Sequence, residues 1–184
     1  MTNDMAEAGG RRWSRWRIVG WSIPALLLLL PLVAMQFTTE IAWSGGDFLF
    51  AAVVFGTIGL AFEFIVGRSG NLAYRLGAAF AVFASFFIVW VNAAVGMIGA
   101  EENGYNLLFL AAIAVALAGG IPARFRAAGL ARATVGAAIV QGAVAAGGFS
   151  QDPRGAVLSM ALALLWLIAA AFFRAAARTG QGSR

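Results

Sequence analysis

The chain of 184 residues contains no cysteine, no histidine and no lysine. Without cysteine it has no disulfide, thiolate nucleophile or thiolate metal ligand. Without histidine it lacks the commonest metal ligand, general base and haem ligand. Without lysine it has neither a Schiff-base amine nor the lysine of a phosphate-binding loop. The sequence therefore predicts no catalytic residue, no metal site and no cofactor.

Charge is also scarce. Only 11% of the residues are charged and 61% are hydrophobic, with a mean hydropathy of +0.85, whereas about a quarter of the residues of a soluble domain are charged. A chain this apolar cannot cover its surface with polar groups. The composition predicts a multi-pass membrane protein whose main partner is the lipid bilayer.

The basic residues are 13 arginines, and the sequence pI is about 11.3. A high pI can indicate nucleic-acid binding, but here the arginines are scattered among short polar segments and form no basic domain or nucleic-acid motif. We therefore predict no nucleic-acid partner. Arginine without lysine, together with abundant alanine and glycine, is typical of GC-rich bacterial genes, which favours a bacterial cytoplasmic (inner) membrane.

Apolar stretches of about 20 residues, the length that crosses a bilayer, predict the fold class: an all-α integral membrane bundle of six transmembrane helices. The predicted spans are 18–37, 48–66, 72–100, 106–120, 133–149 and 156–173, between a basic tail at 1–17 and a tail at 174–184. The first stretch follows RRWSRWR and could be a cleaved signal peptide. Because it is long for that role and PLVAMQF is a poor cleavage site, we expect an uncleaved helix.

Arginine placement predicts the orientation. All arginines except Arg154 fall in the segments 1–17, 67–75, 121–132 and 174–184. With six spans these segments share one side, and the positive-inside rule makes that side cytoplasmic. The sequence therefore predicts that both termini are cytoplasmic.

The sequences of two predicted spans indicate a break in one and burial of the other. The third is too long for a bilayer of about 30 Å, so we expect a tilt or a break, with Gly96 and Gly99 as the places. The fifth is rich in small residues that recur every fourth position, a pattern that lets helix backbones approach closely. Two such rows predict that the fifth span is buried among the other spans. The first row is Ala133, Ala137, Gln141 and Ala145, and the second is Ala138, Gly142 and Ala146.

Glu63, Asn92 and Gln141 lie within predicted spans, where polar side chains are costly. Glu63 is the only acid among them. It could form an ion pair with Arg68 or Arg75, or hold a proton or cation. Asn92 and Gln141 want partners in hydrocarbon, which interhelical hydrogen bonds, a ligand or water could supply.

Glu101, Glu102 and Asn103 form the densest acidic cluster. Two carboxylates and an amide could bind a hard cation through oxygen ligands. They also precede the fourth span, where Glu102 or Asn103 could cap the helix and favour its dipole. Both readings are compatible with the sequence.

The stretch WVNAAVGMIGAEENGYNLLF, followed by ARFRAAGLARA, resembles a recurrent pattern in uncharacterised bacterial multi-spanning integral membrane proteins, V-N-x-A-V-G-x-I-G-x-E-x-N. Its polar and glycine positions are Asn92, Gly96, Gly99, Glu101 and Asn103. The resemblance extends from about Trp43 to about Arg132. It implies a shared fold around the second outer loop, and no activity or catalytic residue comes with it.

Three function classes fit these observations. The favoured one is an accessory or assembly subunit of a bacterial membrane complex, with other membrane subunits or further copies of itself as partners. The alternative is a small transporter or channel lined by Glu63, Asn92 and Gln141. An intramembrane enzyme has least support, because no conventional nucleophile–base pair can be assembled.

Overall fold

The computed structural model describes residues 21–22 and 25–181. Within them the chain is helical and contains no strand. The helices are α1 (Ala25–Ala34), α2 (Gly45–Val66), α3 (Leu72–Ala94), α4 (Leu110–Gly120), α5 (Ala127–Gly147) and α6 (Pro153–Gln181), with a 3₁₀ helix (Gly104–Phe109) leading into α4. The predicted basic tail and the start of the first predicted span lie outside the described residues.

Four of these helices, α2, α3, α5 and α6, are long and apolar enough to cross a membrane. The helix α1 and the combined segment Gly104–Gly120 are apolar but shorter. The all-α prediction is confirmed at this level.

The chain divides into two compact units, Met1–Ala61 and Phe62–Arg184. In the first unit, α2 begins with a reciprocal cap. The Asp47 carboxylate accepts hydrogen bonds from the amide and hydroxyl of Ser44 at 2.7 and 2.8 Å, and the Asp47 amide donates to the Ser44 hydroxyl at 3.3 Å. These bonds satisfy donors that a helix start leaves open.

The second unit contains all six predicted site residues. In it α5 packs between α4 and α6, and α3 packs along α6. Its largest fully buried side chains include Trp166, Phe109, Phe173 and Ile88. Helices α3 and α6 approach closely at Gly77, where a Cβ atom would lie 2.9 Å from the Phe173 ring and 3.1 Å from the Ala169 carbonyl oxygen.

The prediction that the fifth span is buried is confirmed. In the spanning window of α5, 44% of residues are buried, against 22% in α3. Ala133, Ala137, Gln141 and Ala145 are all buried. The second row is only partly so: Ala138 is buried, whereas Gly142 is half-buried and Ala146 exposed.

Several helix ends differ from the predicted span ends. The predicted break in the third span is present, since α3 ends at Ala94 and Gly96 and Gly99 have φ values of +78° and +68°. Helix α5 begins at Ala127 rather than at residue 133, and α6 continues through the predicted tail to Gln181. Charged residues end a hydropathic run, but arginine and alanine are good helix formers, so the helices extend past it.

Candidate functional site

Gln141 joins the two most buried helices. Its side chain is fully buried. Its Nε2 donates to the Ser159 carbonyl at 3.0 Å, and its Oε1 accepts from the Trp166 indole Nε1 at 2.8 Å. Both ends of the amide are therefore engaged with α6, as expected for an interhelical hydrogen bond in an apolar surrounding.

Asn92 does not form the expected interhelical hydrogen bond. Its Oδ1 and Nδ2 are both buried, and neither has a hydrogen-bond partner in the part of the chain that the structure describes. The residue lies in the last turn of α3, one turn beyond the fully buried Ile88 on the core-facing side.

Glu63 lies half-buried near the C-terminal end of α2. Of the two nearby arginines, Arg68 places its guanidinium over the rings of Phe64 at 4.1 Å and Phe125 at 5.0 Å. Arg75 donates from Nε to the Ser69 carbonyl at 3.0 Å. These contacts hold the arginines at this end of the second unit.

Asn106 organises the turn that follows α3. Its side chain is 3% exposed. Its Oδ1 accepts from the amides of Met97 and Ile98 at 3.1 and 2.8 Å, and its Nδ2 donates to the Ala100 carbonyl at 2.9 Å. At Gly96 a Cβ atom would lie 2.6 Å from both Asn106 Nδ2 and the Ala100 oxygen, so only glycine fits there.

Asp152 ties this turn to the start of α6. Its Oδ1 accepts from the amide of Gly155 at 2.9 Å, as an N-cap does, and its Oδ2 accepts from the amide of Gly99 at 3.0 Å. The Gly155 and Gly99 hydrogen bonds stabilise the carboxylate and hold the Asp152 pKa below its ordinary value.

The acidic cluster does not converge on a ligand position. Glu101 and Glu102 are exposed. Of the two predicted capping residues, Asn103 is the N-cap of the 3₁₀ helix, because its Oδ1 accepts a hydrogen bond from the Tyr105 amide at 3.1 Å. Its Nδ2 donates to the Ile98 carbonyl at 3.1 Å and to Gln151 Oε1 at 3.3 Å. No group of three or more acidic, histidine or cysteine side chains that could hold a metal occurs in the described residues.

The six predicted positions therefore fall into separate surroundings. Asn103 belongs to the turn, Gln141 to the α5–α6 contact and Glu63 to the end of α2. Sequence reasoning missed Asn106, Tyr105, Asp152 and Trp166, of which Tyr105 donates its hydroxyl to the Val144 carbonyl at 2.7 Å. Only Asp152 had a local signal, because Asp followed by Pro is typical of a helix start.

Fold and site together define an all-helical protein with four helices long and apolar enough to cross a membrane. Comparison with protein-family models, with curated proteins and with solved structures found no match.

Proposed function

We propose that the chain is a multi-pass protein of the bacterial cytoplasmic membrane that serves as an accessory or assembly subunit of a membrane complex. In this proposal it spans the membrane six times, with both termini in the cytoplasm. The 3₁₀ residues before α4 support the fourth span, since Gly104–Gly120 reaches roughly 28 Å at 2.0 Å per 3₁₀ residue and 1.5 Å per α-helical residue.

The proposal rests on the hydrogen bonds that the Gln141 side chain forms with α6. A transporter needs polar side chains that face a common hydrated path. Gln141 is fully buried, and both ends of its side-chain amide are instead hydrogen-bonded to Ser159 and Trp166 of α6. In this proposal the Gln141 amide serves to hold α5 against α6, and the chemistry of the complex is carried out by other subunits.

Helix α3 supports a partner within the membrane. Each of the aromatic residues Phe83, Phe86, Phe87 and Trp90 lies three or four residues from two of the others, so all four share one side of the helix. Their rings contact each other, with centroids 4.8 Å apart for Phe83–Phe87 and 5.6 Å apart for Phe86–Trp90. Phe83 is 48% exposed, and large rigid aromatic side chains are favoured at protein contacts.

The test is purification in nanodiscs, followed by native mass spectrometry of what accompanies the chain. We expect other membrane subunits in fixed stoichiometry. Phe83→Ala should reduce their recovery about fivefold or more, since an aromatic anchor contributes at least about 1 kcal/mol. The matched control is Leu164→Ala on α6, where Leu164 is 55% exposed, and recovery should not change.

Purification of the chain alone, or as a homo-oligomer, would count against the accessory role. The alternative is then a small transporter or channel. The side-chain amide of Asn92, which has no hydrogen-bond partner among the described residues, is the feature that favours it, because water or a substrate could supply hydrogen bonds there. That alternative expects Glu63→Gln to abolish flux in proteoliposomes, and unchanged flux would argue against it.

A further inference from the structure

The turn between α4 and α5 borders an open cavity of about 420 Å³. Three arginines line it, Arg124, Arg126 and Arg132, and the remaining lining residues, which include Ala123 and Gly129, are small and uncharged. The volume lies within the range of roughly 300–1,000 Å³ that is usual for ligand pockets.

The backbone fixes the shape of this cavity. Arg124 and Phe125 adopt positive φ values of 51° and 56°, which turn the chain sharply after α4. The Phe125 carbonyl accepts a hydrogen bond from the Tyr74 hydroxyl at 2.8 Å, and the Arg126 amide donates to the Ala123 carbonyl at 3.0 Å. A Cβ atom at residue 129 would collide with the side chain of Ala123, so glycine keeps the wall close.

The positive charge of the cavity has no acidic residue among its lining residues. No acidic residue occurs between Glu102 and Asp152, and none lines the cavity. The first turn of α5 also contains no acid. The three guanidinium groups therefore have no carboxylate in the wall beside them.

The arginines stand at the end of a helix that disfavours them. A helix N-terminus carries partial positive charge and is stabilised by anions, not cations. Arg126 is the N-cap residue of α5 and its side chain makes no capping hydrogen bond. Ala128 and Arg132 are four residues apart and share one face of α5, and helical side chains lean toward the N-terminus, so Arg132 leans toward the same end. An anion in the cavity would relieve this repulsion.

One guanidinium group can donate two parallel hydrogen bonds to two oxygens of a phosphate group, and arginine is therefore the usual residue for phosphate recognition. The end of α4, which leads into this turn, has exposed apolar side chains: Leu117 and Ile121, four residues apart, are 50% and 60% exposed. Basic pockets at the ends of membrane helices suit anionic lipid headgroups. We propose that the cavity lined by Arg124, Arg126 and Arg132 binds a phosphate group, carried by an anionic phospholipid or by a soluble phosphate compound.

The test places the full chain in nanodiscs of equal parts phosphatidylglycerol and phosphatidylcholine and measures retained lipid by native mass spectrometry. The wild type should retain phosphatidylglycerol preferentially. Arg126→Gln with Arg132→Gln should lower that retention about tenfold or more, because charge-assisted hydrogen bonds are lost. The matched control is Arg174→Gln with Arg178→Gln, which removes the same charge from exposed positions of α6 and should leave retention unchanged.

A soluble source gives a different result. In nanodiscs of phosphatidylcholine alone, inorganic phosphate would raise the thermal midpoint of the wild type and not of the Arg126/Arg132 variant, with no preference for phosphatidylglycerol. Equal losses of phosphatidylglycerol retention in the two glutamine double variants would show that only the net charge of the protein matters, and would overturn the proposal. Retention that is unchanged in both double variants would also overturn it.

A second variant covers the case in which the glutamine pair does not fold. Arg126→Lys with Arg132→Lys keeps the charge but not the planar fork, and should bind several-fold more weakly. Wild-type retention by this variant would overturn the assignment to the guanidinium groups. None of these outcomes depends on whether the chain is an accessory subunit, because each reports only the cavity.

Discussion

Two turns border the segment Gly104–Gly120, and they are built in opposite ways. In the asparagine turn, residues 95–103, the left-handed positions are glycines and Asn106 and Asp152 satisfy the backbone amides. In the arginine turn, residues 121–126, Arg124 and Phe125 occupy left-handed conformations that cost L-residues free energy. The first turn is built for stability. The second turn keeps backbone strain, and three arginines line its cavity without an acidic residue among them, which favours a role other than stability.

The largest effect that would test this contrast comes from Asn106→Ala. It leaves the buried amides of Met97 and Ile98 and the Ala100 carbonyl without their side-chain partner, at a cost of about 3 kcal/mol. The thermal midpoint in detergent should fall markedly. Asn92→Ala is the control, since Asn92 makes no hydrogen bond within the described residues, and it should be neutral or stabilising. Equal losses in the two variants would contradict this account of the turn.

An intermediate effect is expected from exchanging the residue types at left-handed positions. Gly96→Ala should destabilise by at least about 1–2 kcal/mol, because a left-handed alanine is strained and its Cβ would meet the Ala100 oxygen. Arg124→Gly should be neutral or stabilise by up to about 1 kcal/mol, since glycine removes the strain. Thermal midpoints would measure both. A substantial loss in Arg124→Gly would show that its side chain is needed for folding.

The smallest effect concerns pH. The hydrogen bonds from Gly155 and Gly99 lower the Asp152 pKa from its ordinary value of 3.8. A carboxyl group with a lowered folded-state pKa contributes stability above its unfolded pKa and loses it as the pH falls through the folded value. The thermal midpoint should therefore decline as the pH falls from about 4, and Asp152→Asn should flatten that decline. Glu101→Gln, at an exposed carboxylate, should not.

The sequence predicted those features that depend on local composition. The length of the apolar stretches predicted the helices, and Gly96 and Gly99 predicted the break after α3. The buried face of α5 was predicted by the four-residue spacing of Ala133, Ala137, Gln141 and Ala145. Each follows from a short-range regularity, either the 3.6-residue period of a helix or the tolerance of glycine for positive φ.

The remainder depends on contacts between distant residues. Gln141 could have met a ligand or a neighbouring helix, and only the position of Trp166 on α6 decides between them. Asn106 and Asn103 look equivalent in the sequence, yet one holds the turn and the other caps a 3₁₀ helix. The arginine cavity depends on positive φ at Arg124 and Phe125, which no residue preference indicates.

The bonds between the asparagine turn and α6 also have a consequence for biosynthesis. Gly99 bonds to a residue 53 positions later, and Asn103 to one 48 positions later. At 5–20 residues per second, about 3–10 s pass between the synthesis of the turn and that of Asp152. Until then the turn after α3 lacks these two hydrogen-bond partners, so it can complete its structure only after Asp152, which immediately precedes α6, has emerged from the ribosome.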